Sequence, residues 1–328
     1  MSFFMFAFSR VLSVIQDTLD KANPRVEIPL DPHSPQARVE NSCKLPSAAF
    51  FDDFVVPVMT TSPEGLVPAT RTALHAIASA FAQHGMQVND ATGKTEIMFQ
   101  FEGPGAAAAR LALTLIGPIQ ASSPLFSQLS VKTTAHYRHL GATNNGPNNK
   151  GMDVASRIAQ AAQAQRDLSA KIFSNPKIPL RTRSMLWKAL VLSRLLYHSS
   201  LWHTLPMRQV KSLSGFQSRC MLSLARCFPP NHQTTIETLT QLNMLPVRVL
   251  ITYRRLSLFR RALLVQAPWL NALIYATQDA PRTWSAQISS DIAFLQKYEP
   301  GPHPTREQFA RSILDTSTNS WKARLKRH

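Results

Sequence analysis

The stretch from Ala48 to Val58 sets the strongest constraint on the fold, because it places two adjacent carboxylates between two short apolar runs. Its sequence is Ala-Ala-Phe-Phe-Asp-Asp-Phe-Val-Val-Pro-Val. Apolar runs of this length that are rich in Phe and Val are typical of buried strands, and a polar break between them is typical of a tight turn. The sequence therefore predicts a β-hairpin with Asp52 and Asp53 at its tip.

The pair formed by Asp52 and Asp53 has two interpretations. Two like charges side by side repel each other unless a cation neutralises them, so the pair suits a divalent metal ion. Asp is also favoured in ordinary turns, where its side chain hydrogen-bonds to the local backbone. The pair alone leaves both interpretations open, and the sequence that follows favours the metal site.

Three sequence boxes, taken in order, resemble the palm of reverse transcriptases, especially those of non-LTR (LINE-type) retrotransposons. Residues 50–53, Phe-Phe-Asp-Asp, resemble the Tyr-Ala-Asp-Asp box of that family. Residues 85–89 and the Lys-Thr pair that follows them resemble its Gly-Leu-x-x-Asn turn and Lys-Thr strand. Residues 137–141 resemble its primer-grip turn, and the helical pattern of residues 157–202 is typical of its thumb.

The resemblance implies an α+β fold, in which a partial palm with an antiparallel sheet and helices precedes an all-helical, thumb-like region. It implies RNA-directed DNA polymerase chemistry, a nucleotidyl transfer supported by two Mg²⁺ (or Mn²⁺) ions. Asp52 would then bind the metal directly and Asp53 would support it. Lys94 would lie near the triphosphate of the incoming nucleotide as a proton donor; the alternative is a solvated lysine at a strand end. The primer-grip-like residues would be Tyr137, His139, Leu140 and Gly141.

Two departures from the family pattern argue against polymerisation by this chain alone. No stretch matches the strand that carries the third metal-binding Asp, or the Gln-Gly-Asp-Pro-type motif that contacts the template. Phe51 also places a bulky ring where the family usually has a small residue near the primer end. We therefore expect a reverse transcriptase truncated before the template-contacting motif, and inactive without the missing fingers and palm part of a longer polyprotein. The alternative is a non-catalytic, basic nucleic-acid-binding protein.

Positive charge is concentrated in the second part of the chain. Residues 1–130 contain 8 Lys and Arg against 11 Asp and Glu, whereas residues 131–328 contain 28 against 8. The formal net charge is therefore −3 in the first part and +20 in the second. Such a balance favours a polyanionic partner, and we expect RNA and DNA to bind through the second part.

One predicted helix, residues 207–227, carries basic residues on a single face. At about 100° per residue, four cations fall within roughly 80° of one another. These cations are Arg208, Lys211, Arg219 and Arg226. Such a stripe could follow the phosphates of a duplex, or it could be an ordinary solvated face. The next candidates are Arg254, Arg255, Arg260 and Arg261.

The spacing of cysteines and histidines argues against a zinc site. His-x4-His and Cys-x6-Cys lack the close Cys pair that zinc knuckles use. The residues concerned are His198, His203, Cys220, Cys227 and His232. We expect no zinc, and we interpret the cysteines as small buried hydrophobic residues.

The three cysteines of the chain are too few for a disulfide framework, which favours a reducing intracellular compartment, the nucleus or the cytoplasm. The apolar segment Ser2–Ile15 is interrupted by Arg10, and we interpret it as a buried helix and not as a signal peptide. No other stretch approaches the roughly 18 apolar residues of a membrane span, so we expect no membrane partner.

An Asn-rich segment, residues 144–149, predicts the main domain boundary. We expect a partial palm domain at 1–145, a helical basic domain at 146–280 and a basic C-terminal extension at 281–328.

Prolines predict a loop across residues 23–47, and Gly, Pro and Asn clusters predict short strands across residues 103–149. Residues 96–101 are predicted to form a strand. Helices are predicted at residues 3–21, 63–84, 153–173, 180–205, 207–227 and 246–264.

Overall fold

The computed structural model shows a mixed α+β protein that divides into two compact units, residues 1–149 and residues 150–328. The division falls at the end of the Asn-rich segment. The residues that the structure describes are 2–22, 27–29, 42–44, 48–50, 53–60, 62–101, 105–114, 116–139, 141–145, 150–225, 234–277, 283–296, 308, 312, 316, 317 and 320.

Two long helices form the first part of the first unit. They are α1 (Ser2–Ala22) and α2 (Pro63–Gln83), both close to their predicted positions. The Ser62 side chain caps α2 by accepting a hydrogen bond from the Gly65 amide at 3.4 Å, and Pro63 fits the first helical turn. Gly85 ends the helix in the left-handed region, with φ +69°, as expected for a glycine after a helix.

The helices α1 and α2 pack on each other through a buried apolar cluster. Its members are Val11, Ile15, Leu19, Ala73, Ala76, Ile77, Ala80 and Phe81. The small side chains of α2 allow close approach, and Val11, Ile15 and Leu19 of α1 are buried against them.

Four short strands precede α2 in the chain and form two antiparallel pairs. One pair is β1 (Glu27–Pro29) with β2 (Ser42–Lys44), and the other is β3 (Ala48–Phe50) with β4 (Asp53–Val55). The prediction of an irregular loop at 23–47 is therefore wrong in part. Proline is tolerated at the end of a strand and on an edge, and both strands of a two-stranded ribbon are edges.

The main sheet of the first unit has three strands in the order β5-β7-β6. They are β5 (Glu96–Met98), β6 (Ile119–Ser123) and β7 (Phe126–Thr134). The pairing of β5 with β7 is parallel and that of β6 with β7 is antiparallel, so the prediction of an antiparallel sheet is wrong in part. Parallel pairing requires a crossover, and the chain between β5 and β7 supplies one that contains a helix, α3 (Ala106–Thr114).

The helix α3 lies where the sequence pattern predicted strands. Four consecutive alanines begin it and leucines follow, and both are among the best helix formers. Beyond the main sheet, β8 (His136–His139) and β9 (Ala142–Asn145) form a hairpin.

The helix α2 packs against one face of the main sheet. Leu74 and Ala78 contact a buried cluster contributed by β6 and β7. The sheet members of that cluster are Ile119, Ala121, Leu129 and Val131. Alternate residues of β6 point away from this core, so Gln120 is exposed between buried Ile119 and Ala121.

In the described residues of the second unit every regular element is helical, as predicted. The helices are α4 (Gly151–Leu168), α5 (Leu180–Trp187), α6 (Ser193–Leu195), α7 (Met207–Ala225), α8 (Thr235–Gln241), α9 (Val247–Val265), α10 (Pro268–Ala276) and α11 (Trp284–Gln296). Wider helical turns at Ser169–Phe173 and Lys188–Leu192 continue α4 and α5. Residues 284–296, which fall in the predicted C-terminal extension, form α11 and pack on α9.

The predicted continuous helix at 180–205 is wrong at its end, because regular α-helix stops at Leu195. His198 adopts a left-handed conformation with φ +59°, and only a short 3₁₀ turn, Ser199–Leu201, follows. Pro206 also disfavours helix in the residue before it. We call residues 196–206 the bent segment.

The second unit contains two apolar clusters that share α9. The larger cluster is formed mainly by α4 to α7, and its most buried bulky members are Phe173, Trp187, Leu195, Leu196, Trp202, Leu213 and Met221. The smaller cluster joins α9, α10 and α11 through Leu256, Phe259, Leu263, Ile274, Ile288, Ile292 and Leu295. Val247 and Ile251 place the start of α9 in the larger cluster, so this helix connects the two.

A buried ion pair joins α9 to α11. The Arg255 Nε atom donates to Asp291 Oδ2 at 2.6 Å, its Nη2 donates to Oδ1 at 2.8 Å, and the two side chains are only 7% and 5% exposed. A charge at this depth is tolerated because its partner neutralises it and hydrogen bonds satisfy the remaining polar atoms.

We expect the substitution Asp291→Ala to lower the free energy of unfolding by about 3–5 kcal/mol, because it leaves the Arg255 guanidinium buried without its counter-charge. Urea denaturation measures this loss. Asp167→Ala is the matched control, because Asp167 is an exposed helical aspartate, and we expect it to change stability by less than about 0.5 kcal/mol. Equal losses in the two variants would contradict the proposed importance of the buried pair.

Candidate nucleic-acid interface

The hairpin that carries the predicted metal ligands is present, and the backbone places Asp53 in one of its strands. Phe50 pairs with Asp53 across the hairpin, so Asp53 begins the strand β4 and is not a turn residue. Residue 52 is outside the described residues, and Asp53 is described by its backbone alone. The assignment of Asp52 and Asp53 as ligands of Mg²⁺ or Mn²⁺ remains a prediction.

The segment that follows β4 connects the hairpin to the helical core of the first unit. Val56 and Val58 pack against the cluster shared by α1 and α2. The strand β4 is thereby fixed to a rigid helix pair within a few residues of Asp53.

Lys94 and Tyr137, which belong to two different sequence boxes, are in contact. The Tyr137 hydroxyl donates a hydrogen bond to the Lys94 carbonyl oxygen at 3.3 Å. Lys94 itself lies in an exposed turn immediately before β5, with its amide bonded to the Ala91 carbonyl at 3.0 Å. The structure therefore brings the Lys-Thr box and the primer-grip-like box together at one end of the sheet.

The primer-grip-like box forms the hairpin between β8 and β9. His139 pairs with Ala142, which leaves Leu140 and Gly141 as the connecting residues. Gly141 has φ +80°, a left-handed conformation that glycine adopts without strain. Leu140 is outside the described residues, and His139 is described by its backbone only.

The helix α7 presents the predicted basic stripe to solvent. Arg208, Lys211 and Arg219 are exposed, whereas Arg226 follows the last described residue of the helix. The opposite face is buried through Leu213, Phe216, Gln217, Cys220, Met221 and Leu224. The helix is therefore amphipathic in the predicted sense, and the three described cations span roughly 16 Å along its axis at 1.5 Å per residue.

Small residues separate the cations of the α7 stripe. Ser212 and Gly215 lie between Lys211 and Arg219 on the same face, and α7 contains no Asp or Glu. A Cβ atom added at Gly215 would lie 3.5 Å from Nη1 of Arg219, so the guanidinium extends along the helix surface over this glycine. A phosphate group can consequently approach the stripe without meeting a bulky side chain or a carboxylate of this helix.

The exposed charge of the second unit is strongly positive. Within residues 150–225, 234–277 and 283–296, ten Lys and Arg side chains are exposed, against two carboxylates. The cations are Arg166, Lys171, Lys177, Arg181, Arg194, Arg208, Lys211, Arg219, Arg248 and Arg261. The exposed carboxylates are Asp167 and Glu237, and Glu237 caps α8 by accepting a hydrogen bond from the Thr234 amide at 2.7 Å.

Several arginines of the second unit are buried and form hydrogen bonds in its interior. Arg183, for example, is buried and donates to the carbonyl oxygens of Phe173 and Leu224. Of the second set of candidates, Arg255 and Arg260 are buried, and Arg254 donates to the Leu196 carbonyl at 2.6 Å. Burial lowers the pKa of Arg254 from its ordinary value, while Tyr253 partly offsets this. Of this set only Arg261 is exposed, and the other three arginines form hydrogen bonds within the unit.

Cys220 behaves as a buried apolar residue, as predicted. Burial raises the pKa of its thiol to about 11, although a hydrogen bond from Trp187 and the charge of Arg219 act in the opposite direction. A thiol with this pKa is protonated at neutral pH. Among the described residues no group of three or more His, Cys, Asp or Glu side chains could hold a metal ion, and Cys227 and His232 lie outside them.

None of the described helices combines the length and the apolar composition that crossing a lipid bilayer would need.

Comparison of the chain with protein-family models, with curated proteins and with solved structures gave no match. The resemblance to reverse transcriptases therefore depends on the three sequence boxes and their spacing.

Proposed function

We propose that this chain comprises part of the palm and the thumb of a reverse transcriptase of the non-LTR retrotransposon type. We also propose that in isolation it binds nucleic acid without polymerising. The observation that carries the proposal is the charge of the second unit, where ten exposed cations face solvent with two exposed carboxylates. Neutralising phosphates releases condensed counterions, which supplies most of the affinity of sequence-independent binding.

The first unit supports the polymerase part of the proposal through two features. An antiparallel hairpin occupies the Phe-Phe-Asp-Asp box, and the Tyr137 hydroxyl contacts the Lys94 carbonyl. Two boxes that are 43 residues apart in sequence thus meet in space. If the two boxes contribute to one catalytic surface, as the resemblance implies, their residues must lie close together.

Three structural features of α7 support nucleic-acid binding by this helix. Its cations are exposed, its other face is anchored in the core, and small residues lie between the cations. Arg and Lys on a fixed helix contact backbone phosphates without reading base identity, so we expect no sequence preference.

A second candidate is a basic nucleic-acid-binding protein whose first unit is only a scaffold. The observation in its favour is the mixed main sheet, in which β5 pairs with β7 in parallel, unlike the expected antiparallel palm. Both candidates share the interface on the second unit, and they differ in whether Asp52 has any catalytic role.

We expect the purified chain to show no primer extension on RNA or DNA templates with Mg²⁺ or Mn²⁺. Two-metal catalysis requires a further carboxylate from a strand that the sequence does not match, and residues acting as one unit lose activity together. Incorporation of labelled nucleotides, with an active reverse transcriptase as positive control, is the measurement. Incorporation that disappears with Asp52→Ala but persists with Asp17→Ala, a change at an exposed aspartate of α1, would show that the chain is a complete polymerase.

We expect a variant with four Ala substitutions, at Arg208, Lys211, Arg219 and Arg226, to bind duplex DNA with a weaker salt dependence. Each lost phosphate contact flattens the log–log slope by about 0.9, so the total change is roughly 3–4. Fluorescence anisotropy of a labelled duplex at several salt concentrations measures the slope, and circular dichroism checks the fold.

The matched control replaces four other exposed cations, Arg166, Lys171, Lys177 and Arg181, with Ala. Both variants lose the same formal charge, so a larger change in the α7 variant identifies the stripe as the interface. An unchanged slope in the α7 variant would show that the stripe is only a solvated face.

A further inference from the structure

A cleft of about 570 Å³ lies in the first unit, between α2 and the paired strands β6 and β7. Its lining residues are Arg71, His75, Gln120, Ala121, Ser122 and Gln128. The volume is within the range of small-molecule binding sites. Ala121 belongs to the buried cluster below the cleft, whereas the five polar side chains are exposed.

Arg71 is held in the cleft by one edge of its guanidinium group. Its Nε atom donates a hydrogen bond to the Gln120 carbonyl oxygen of β6 at 3.2 Å. β6 is an edge strand among the described strands, so this carbonyl is accessible to a side chain from α2. The two Nη groups remain available, and Arg71 forms no ion pair with any described carboxylate.

His75 lies one helical turn after Arg71, so both side chains leave the same face of α2. The imidazole ring makes an edge contact with Phe126, with ring centroids 5.7 Å apart and an interplanar angle of 61°. This contact orients the ring beside the cleft.

The chemistry of the lining favours an anion. The Arg71 guanidinium and the His75 imidazole, which leave one face of α2, can both donate hydrogen bonds, and no Asp or Glu among the described residues lines the cleft. The planar fork of Arg matches the geometry of a phosphate or carboxylate oxygen pair. The positive charge of Arg71 in this cleft contrasts with the net charge of −3 that residues 1–130 have as a whole.

We propose that this cleft binds a small phosphomonoester, with the phosphate group between Arg71 and His75 and the remainder of the molecule against Ser122 and Gln128. A phosphomonoester has three terminal oxygens, which accept hydrogen bonds from several donors at once. The site is separate from the α7 stripe, and it does not depend on the proposed function.

The test uses the full chain and adenosine monophosphate as the probe, with inorganic phosphate and adenosine as parallel probes. Titration is followed by isothermal calorimetry in about 0.3 M KCl, which screens the exposed cations of the second unit. We expect saturable binding of adenosine monophosphate, weaker binding of inorganic phosphate and none of adenosine. Arg71→Gln should weaken the binding roughly tenfold or more, because a charge-assisted hydrogen bond is lost.

Arg110→Gln is the matched control. Arg110 is an exposed arginine of the first unit whose Nε atom also donates to a backbone carbonyl, that of Ala106, at 3.2 Å. The control should bind adenosine monophosphate as the unmodified chain does. Equal affinities of the Arg71→Gln and Arg110→Gln variants, or the absence of saturable binding, would overturn the proposal.

Gln128→Leu tests the same cleft without touching the Arg71 contact to Gln120. We expect it to weaken the binding of adenosine monophosphate a few-fold and to leave the melting temperature unchanged. If Arg71→Gln lowers the melting temperature, its loss of affinity could come from a change in fold, and the affinity of the Gln128→Leu variant is then the deciding measurement. Unchanged affinity for adenosine monophosphate in a folded Gln128→Leu variant would overturn the proposal. Tighter binding of adenosine than of inorganic phosphate would also overturn it.

Discussion

Two buried carboxylates, Asp153 and Asp291, hold the second unit together through a single tryptophan. The Trp202 indole nitrogen donates to Asp153 Oδ2 at 2.8 Å, and its backbone carbonyl accepts from Arg255 at 3.3 Å. Arg255 in turn pairs with Asp291. The network connects α4, the bent segment, α9 and α11, which are far apart in sequence. Because the charges of this network are paired and hydrogen-bonded, removal of any one member leaves another buried group unsatisfied.

The bent segment depends on the same network. A chain that leaves a helix exposes backbone carbonyls that need hydrogen-bond donors. Arg254 donates to the Leu196 carbonyl at 2.6 Å, and the Trp284 indole donates to the Ser200 carbonyl at 2.7 Å. Side chains of α9 and α11 thus replace the missing helical bonds.

The buried ion pairs also use charged residues that a count from the sequence would assign to the surface. Both buried aspartates neutralise arginines of the interior, Arg157 and Arg255, so neither is available to offset surface cations. Each pair removes one cation and one carboxylate from the surface and so leaves the net charge unchanged. The exposed charge is positive because this part of the chain has many more Lys and Arg than Asp and Glu. The net charge computed from the sequence overstates how many cations lie on the surface, because four described arginines of the second unit are buried.

Local signals allowed part of the structure to be predicted. The proline at the start of α2 and the glycine after its end, the apolar runs around the Asp pair, and the amphipathic period of α7 are local signals. Each predicted the element that the structure has. The parallel pairing of β5 with β7 is not local, because the crossover determines it.

The sequence pattern does not distinguish the buried arginines from the exposed ones, again because the deciding contacts are not local. Arg255 and Arg261 look alike in sequence, and the residue that makes Arg255 a core group, Asp291, lies 36 positions away. One sequence feature indicated this, since Arg255 lies four residues from Ile251 on one side and four residues from Phe259 on the other, and both are buried. A cation within an apolar helical period is better interpreted as a buried pair than as a surface contact.

The rigidity of α7 gives its stripe a physical advantage over cations on loops. The buried Gln217 side chain donates to the Leu245 carbonyl at 2.9 Å and accepts from the Val247 amide at 2.7 Å. Val247 is the first residue of α9, so this one side chain both satisfies a free helical amide and locks α7 to α9. A fixed helix loses little backbone entropy when it meets a polyanion, and only the side-chain rotamers of its cations become ordered. The polar interior contact of Gln217 therefore supports the exposed cations on the opposite face of the same helix.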